Sequence, residues 1–216
     1  MRAEELENHY YLPFAAAYVR GSFDLDPTTS DVEAALHGLA EGLPLKRFKR
    51  SGPLPRVARV LGFLRGVVPE RLIDLGPGRG AFLWPLLDSF PDLTVHGIDV
   101  LGHRVAMIEA VSRGGVPRVT AEEGDICGEW GTEQGACVVT ALEVIEHLAH
   151  PQRAIERALR VATRYVVASV PSKPDDNPEH VNTFGPGELE ERFRAAGASK
   201  VTSDHVPNHR LVIATP

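Results

Sequence analysis

With 216 residues the chain can build one substantial core and is too short for two ordinary domains. Apolar residues make up 43% and charged residues 24%, a globular balance, and no apolar run reaches the roughly 18 residues that a membrane-spanning helix needs. The formal net charge of −6 disfavours a broad nucleic-acid surface while leaving a local basic groove open, and two cysteines, Cys127 and Cys137, supply neither a disulfide framework nor a metal-ligand spacing.

The N-terminus is acidic and has no apolar signal core, and the thiols are expected to be reduced, so the predicted location is the cytoplasm. Residues 1–50 read as a helical cap or lid, distinct from a core over residues 51–216. Residues 6–20 are rich in aromatics (Tyr10, Tyr11, Phe14, Tyr18), and residues 31–43 carry Val32, Leu36, Leu39 and Leu43 near helical spacing, with Ser30 or Asp31 as cap. Two readings carry equal weight: a lid over a ligand, or an extension that covers one edge of the core. The basic run Lys46, Arg47, Phe48, Lys49, Arg50 is read first as a solvated face and second as an anion site; it meets the breaker Ser51, Gly52, Pro53.

From residue 54 onward, apolar strands alternate with helical patterns. Helices are predicted over 56–67, 82–90, 104–112, 152–162 and 186–196, and strands over 71–75, 93–99, 119–122, 136–140 and 164–170. Two more strands, 200–205 and 210–214, close the chain without a helix between them. The pattern predicts an α/β fold, doubly wound around a mostly parallel seven-stranded sheet, with an antiparallel C-terminal strand.

The first of those strands runs straight into Gly76, Pro77, Gly78, Arg79, Gly80 and then a helix. Glycines there let the backbone turn tightly and approach a ligand. Such a turn alone serves several nucleotide cofactors, and Gly76, Gly78 and Ala81 also satisfy the dinucleotide fingerprint. Asp74 discriminates between them. Its carboxylate, two residues before the first glycine, repels a pyrophosphate and attracts a ligand with a free ammonium, which favours S-adenosylmethionine over a nicotinamide or flavin dinucleotide. Asp99, at the end of the second strand, is placed to accept both ribose hydroxyl protons, with Val100 beside it. Asp125 suits the adenine amino group and Ile126 the face of the ring; Leu142, at the end of the fourth strand, completes the expected cofactor set. On this glycine motif, these acids and this strand order, residues 54–216 resemble the class I S-adenosylmethionine-dependent methyltransferases. Pro77 departs from the Cys, Ala or Ser common there; it should stiffen the turn.

A second constellation follows the fourth strand, in Ala141, Leu142, Glu143, Val144, Ile145, Glu146, His147. Glu143, Glu146 and His147 are spaced i, i+3, i+4, so one helical turn would put them on one face, and two carboxylates with an imidazole suit a divalent metal. His180, in the long polar loop over residues 171–180, is the candidate fourth ligand. This pattern resembles the small-RNA 3′-terminal ribose 2′-O-methyltransferases and the ubiquinone-pathway O-methyltransferases. The first resemblance implies a Mg²⁺-type ion held by Glu143, Glu146, His147 and His180. In the metal-free alternative those residues orient the cofactor or cap the next helix, and His147 or His180 is the general base, so Glu143, His147 and His180 are the catalytic candidates. His205 and His209 read as solvated turn residues, and Trp84 and Trp130 as core rather than pocket.

The expected function is methyl transfer to oxygen or nitrogen of a small-molecule acceptor. The alternatives are a metal-dependent RNA ribose methyltransferase, a nucleotide-dependent oxidoreductase, and a cofactor-binding module without catalysis.

Overall fold

A central strand of a parallel sheet is covered on both faces and must be apolar on both. Arg71-Leu-Ile-Asp-Leu75 meets that demand at every position after the first except Asp74. In the computed structural model, which describes residues 3–50, 52, 54–130, 135–173 and 176–216, it forms the central strand β1 (Arg71–Leu75). Ser51 and Pro53 of the breaker, and Pro174 and Asp175 of the polar loop, lie outside the described residues.

In chain order the helices are α1 (Ala3–His9), α2 (Leu12–Phe23), α3 (Asp31–Ala40), α4 (Pro55–Val67), α5 (Leu83–Ser89), α6 (Gly102–Arg113), α7 (Pro151–Val161) and α8 (Glu188–Ala195). The other strands are β2 (Thr94–Asp99), β3 (Val119–Glu123), β4 (Ala136–Leu142), β5 (Ala162–Pro171), β6 (Lys200–Val206) and β7 (His209–Thr215). They form one seven-stranded sheet in the order β3-β2-β1-β4-β5-β7-β6. All neighbours pair in parallel as far as β5; β7 is antiparallel to both β5 and β6. The α/β fold with an antiparallel C-terminal strand is therefore the one expected from the alternation. Among the described residues no helix is long and apolar enough to cross a membrane.

Two apolar cores flank the sheet. One joins α4, α5 and α6 to the N-terminal helices through residues such as Phe14, Val19, Phe48, Leu64, Leu86 and Val111. The other lies under α7 and α8, through Ile155, Leu159, Leu189 and Phe193. The N-terminal segment is thus continuous with the first core. Of the two expected caps, Ser30 takes the position, and it does so in a capping box: the Ser30 hydroxyl accepts from the Glu33 N–H, and the Glu33 carboxylate accepts from the Ser30 N–H. The aromatic stretch falls across two helices, α1 and α2, separated where Tyr10 makes an isolated bridge with Lys49.

Helix α2 meets α6 backbone to backbone. A Cβ on Gly21 would sit 1.9 Å from the Ala110 carbonyl oxygen, and one on Gly114 would sit 1.8 Å from that of Ala17. Neither position has room for any side chain, so small residues set how closely these helices approach. By contrast, a Cβ on Gly62 in α4 would meet nothing within 4 Å. Gly114→Ala is therefore expected to destabilise the protein by about 1–3 kcal/mol, whereas Gly62→Ala should stabilise it by about 0.5–1 kcal/mol by removing backbone freedom from the unfolded chain. Urea unfolding of the two variants checks the opposite signs.

Candidate active site

Where the strand order reverses, between β1 and β4, the loops leaving their carboxyl ends diverge and open a crevice. The glycine turn after β1 forms one wall. Gly76 has φ +63 and its N–H donates to the Ile98 carbonyl at 2.8 Å, which ties the turn to β2. A side chain at Gly76 would also collide with Val144, since a Cβ would lie 2.7 Å from Val144 Cγ2. Pro77 packs on β2: a Cβ on Gly97 would lie 3.2 Å from Pro77 Cγ. The turn donates the Gly78 N–H to Asp99 Oδ2 at 3.1 Å, and the Leu101 N–H holds Asp99 Oδ1 at 3.0 Å. The buried Asp99 carboxylate is thereby fixed at the rim of the crevice, with Arg104 3.4 Å away.

A cavity of about 770 Å³ fills this crevice. Gly76, Gly78, Asp99, Val100, Asp125, Ile126 and Leu142 all line it. Val100 is 66% exposed, as an apolar side chain at a cavity mouth would be. Asp125 accepts from the Cys127 N–H at 2.8 Å, a local turn that sets the loop after β3, and the neighbouring Ile126 is buried. Gly80 lies apart from the other glycines: a Cβ there would fall 2.0 Å from Trp84 Nε1, and the residue borders a different cavity. Trp84 and Trp130 are both core residues, as read from the sequence.

Asp74 is 2% exposed. Its Oδ1 accepts from the Thr140 hydroxyl at 2.7 Å, while Oδ2 has no hydrogen-bond partner. Burial pushes its pKa up to about 7; the Thr140 hydrogen bond opposes the rise and the charge on Asp99 adds to it. A small cavity of about 50 Å³ brings Asp74 together with Arg56, Gly76 and Leu142. A buried acceptor without a partner costs about 1–3 kcal/mol. A ligand ammonium delivered into that space would satisfy Oδ2 and return the carboxylate to its charged form.

The second constellation divides. Residues 145–147 form a short 3-10 turn, and Glu143 before it takes the left-handed conformation at φ +59 instead of joining one α-helical turn. Its carboxylate is turned toward β5 and β7: Oε1 accepts from the Ser169 hydroxyl at 2.8 Å, and Oε2 lies 2.9 Å from His209 Nε2. Glu146, His147 and His180 do converge, each offering a ligand atom within 4.8 Å of the others. Glu146 is 1% exposed, and the two imidazoles meet edge to face with centroids 4.7 Å apart. His147 Nδ1 is 2.9 Å from the Glu179 carbonyl oxygen; since a carbonyl only accepts, Nδ1 is the protonated nitrogen of the neutral ring and Nε2 the one with the lone pair. Asn182 clamps the polar loop to this turn, its backbone N–H donating to the Glu146 carbonyl at 2.9 Å and its side chain to that of Leu148 at 2.6 Å.

His209 corrects the sequence reading. It is no solvated turn residue, because β5–β7 pairing sets it opposite Pro171, at the strand end where Glu143 sits. Its Nδ1 faces the Pro207 carbonyl oxygen at 3.0 Å, and Arg56 lies 3.3 Å from its Nε2. His205 remains exposed, as expected. Arg56 also escaped sequence reading, because nothing in its surroundings marks it until α4 brings it to the crevice.

Residues 46–203 match a protein family described as a methyltransferase domain. No curated protein sequence matches the chain. Among solved structures, the fold is similar to that of an O-methyltransferase family protein from Burkholderia thailandensis, with 21% identity and a TM-score of 0.61 over 74% of this chain and 55% of that one. It is similar to human N-acetylserotonin methyltransferase solved with S-adenosylmethionine, at 16% identity and a TM-score of 0.56 over 74% of this chain and 51% of that one. A third likeness is to magnesium protoporphyrin IX methyltransferase from Synechocystis PCC 6803 with bound S-adenosylhomocysteine, at 15% identity and a TM-score of 0.56 over 74% of this chain and 81% of that one. The chain spans between 55% and 61% of the first three solved structures that it matches.

The raised pKa of Asp74 has a consequence for stability. In the folded protein Asp74 keeps its proton up to about pH 7, whereas an unfolded aspartate loses it near the ordinary value of 3.8. The folded state thus binds the extra proton, and stability falls as pH rises across that window. Asp74→Asn removes the titration. It is expected to make the ligand-free protein more stable than wild type by about 1–3 kcal/mol at pH 8, with the gain vanishing near pH 4. Thermal unfolding of both proteins at the two pH values is the measurement.

Proposed function

Because the chain belongs to the methyltransferase-domain family, we propose that it transfers the methyl group of S-adenosylmethionine to an oxygen or nitrogen of a small-molecule acceptor. One observation carries the reading: Asp74, whose buried Oδ2 is unpartnered, lines a small cavity together with Arg56. An acid and a base side by side match the ammonium and carboxylate of an amino-acid moiety. Asp74 accepts from the ammonium and Arg56 receives the carboxylate. Asp99, already oriented by two N–H donors, takes the ribose hydroxyls. Asp125 and Ile126 take the adenine, with Val100 covering its open side. The cavity beside them has the volume that small organic ligands need.

Transfer is an in-line displacement. The acceptor lone pair forms the new bond to the methyl carbon, the S–CH3 bonding pair returns to sulfur, and S-adenosylhomocysteine departs. The acceptor's proton needs a base. His147 lines the cavity with a lone pair on Nε2 and a fixed tautomer, and serves that role. Glu143, held by Ser169 and His209, fixes the loop that carries Leu142 and Val144 against the glycine turn. His180 stands beside His147 from the opposite loop and bounds the acceptor's side.

A second reading rests on the convergence of Glu146, His147 and His180. A carboxylate and two imidazoles are a donor set that suits a divalent cation, and these three residues would hold it; Glu143, engaged elsewhere, would not. Such a cation, when bound, lowers the pKa of an acceptor hydroxyl. Glu146 would supply the charge and His147 Nε2 the lone pair, while the Asn182 clamp keeps the His180 loop in place.

Calorimetry is expected to show S-adenosylmethionine and S-adenosylhomocysteine binding in the micromolar range, with NADH giving no heat. Asp99→Ala should weaken binding at least about tenfold. Affinity should rise as pH passes upward through about 7, the pKa of Asp74, because the ammonium binds the carboxylate form. No binding at millimolar cofactor would overturn the function. Manganese titration followed by electron paramagnetic resonance separates the two readings of the histidines. Saturable binding lost in both Glu146→Gln and His180→Ala supports the cation; no binding leaves His147 as the base.

A further inference from the structure

A second cavity, of about 570 Å³, lies across the glycine turn from the first, between α4, α5 and the 3-10 turn Leu45–Phe48. Six cationic side chains from three parts of the chain line it: Lys46, Arg47, Lys49 and Arg50 from the basic run, Arg65 from α4 and Arg79 from the glycine turn. Among the described residues its one carboxylate is Asp88, and Arg50 already neutralises that through two contacts at 2.9 and 3.2 Å. No carboxylate among the described residues lies within ion-pair distance of Lys46, Arg65 or Arg79. This concentration of positive charge occurs in a chain whose formal net charge is −6.

The floor beneath the cations is apolar. Leu54, Ala58 and Leu61 follow one stripe of α4 that ends in Arg65, and Trp84 and Pro85 face them from α5. The solvated-run reading of residues 46–50 accounts for cations pointing into water. It does not account for Arg65 and Arg79, far apart in sequence, meeting that run around a concave apolar floor. Like charges gathered this way repel one another, and a concavity focuses their field; a bound anion offsets both effects. Guanidinium forks suit phosphate and carboxylate groups in particular.

We propose that this cavity is a binding site for a small organic polyanion, one that carries at least two negative charges on phosphate or carboxylate groups beside an apolar body. Its volume is that of a small-molecule pocket, and the chain's net charge of −6 disfavours a broad nucleic-acid surface around it. The site is separate from the methyl-transfer reading and stands if that reading fails. The two cavities nevertheless share Arg79 and Ala81 of the glycine turn as lining residues.

The test is calorimetry on the full chain at low salt with two probes, inorganic pyrophosphate and octyl phosphate. Both are expected to bind saturably. Lys46→Ala with Arg65→Ala, two exposed side chains, should weaken both at least about tenfold. The control pair Arg160→Ala with Lys200→Ala, exposed and outside the cavity, changes the net charge equally and should alter affinity less than about twofold. Lys46→Arg with Arg65→Lys should keep wild-type affinity within about threefold. Three outcomes overturn the proposal: no saturable binding of either probe up to about 5 mM, equal losses in the cavity and control pairs, or an oligoribonucleotide that binds far more tightly than both probes and loses affinity in the same cavity variant.

Discussion

The position of Asp74 constrains everything around it. A carboxylate in the central strand of a parallel sheet loses its water, and the Thr140 hydroxyl on the neighbouring strand satisfies only one of its two oxygens. The fold keeps the group without completing its hydrogen bonding. Such a site is less stable than a fully paired one and correspondingly more receptive to a cation of the right size. The glycine turn, the cavity beside it and the placement of Arg56 all serve this unfinished position. In the proposed reading, binding of the ammonium and completion of the Asp74 hydrogen bonding are one event.

The crevice is assembled by backbone contacts more than by side chains. Gly76 bonds to Ile98, Gly78 to Asp99, and Gly124 to the Asp99 carbonyl, so the loops after β1, β2 and β3 are laced together at their first residues. Glu143 extends the lacing to the other half of the sheet, with its N–H on the Ser169 carbonyl and its side chain on Ser169 and His209. The left-handed backbone at Glu143 is uncommon for a residue with a Cβ. Three contacts with β5 and β7 hold it there.

Much of this was legible in the residues. Apolar runs of strand length, spaced by amphipathic helices, dictate the alternation. A glycine turn preceded by an acid, with further acids after the next two strands, dictates the crevice because strand ends in such a sheet must meet at the switch point. Other features were hidden for identifiable reasons. The i, i+3, i+4 spacing of Glu143, Glu146 and His147 suggested one helical face, but spacing cannot reveal a residue that reverses its φ. His209 looked like any turn histidine until strand register brought it to the end of β5. Arg56, Arg65 and Arg79 have no local signature, since their meaning comes from elements that meet only in the folded chain. The basic run at residues 46–50 was visible, yet its concavity was not.

The close approach of α2 to α6 bears on traffic into the crevice. Gly21 and Gly114 bring main chain against main chain, so the N-terminal helices sit like a keel against the hull of the domain. None of the described residues before Arg56 lines the larger cavity, and its far wall is made by the turn around His147 and by Glu179 of the polar loop. That loop is tied to its neighbours by Asn182, by the Ser172 N–H on the Asn208 carbonyl and by the Glu179 carbonyl against His147 Nδ1. The molecule separates its ballast from its rim: the N-terminal helices are seated by packed backbone, and the cavity's far wall is held by single hydrogen bonds that any one substitution can remove.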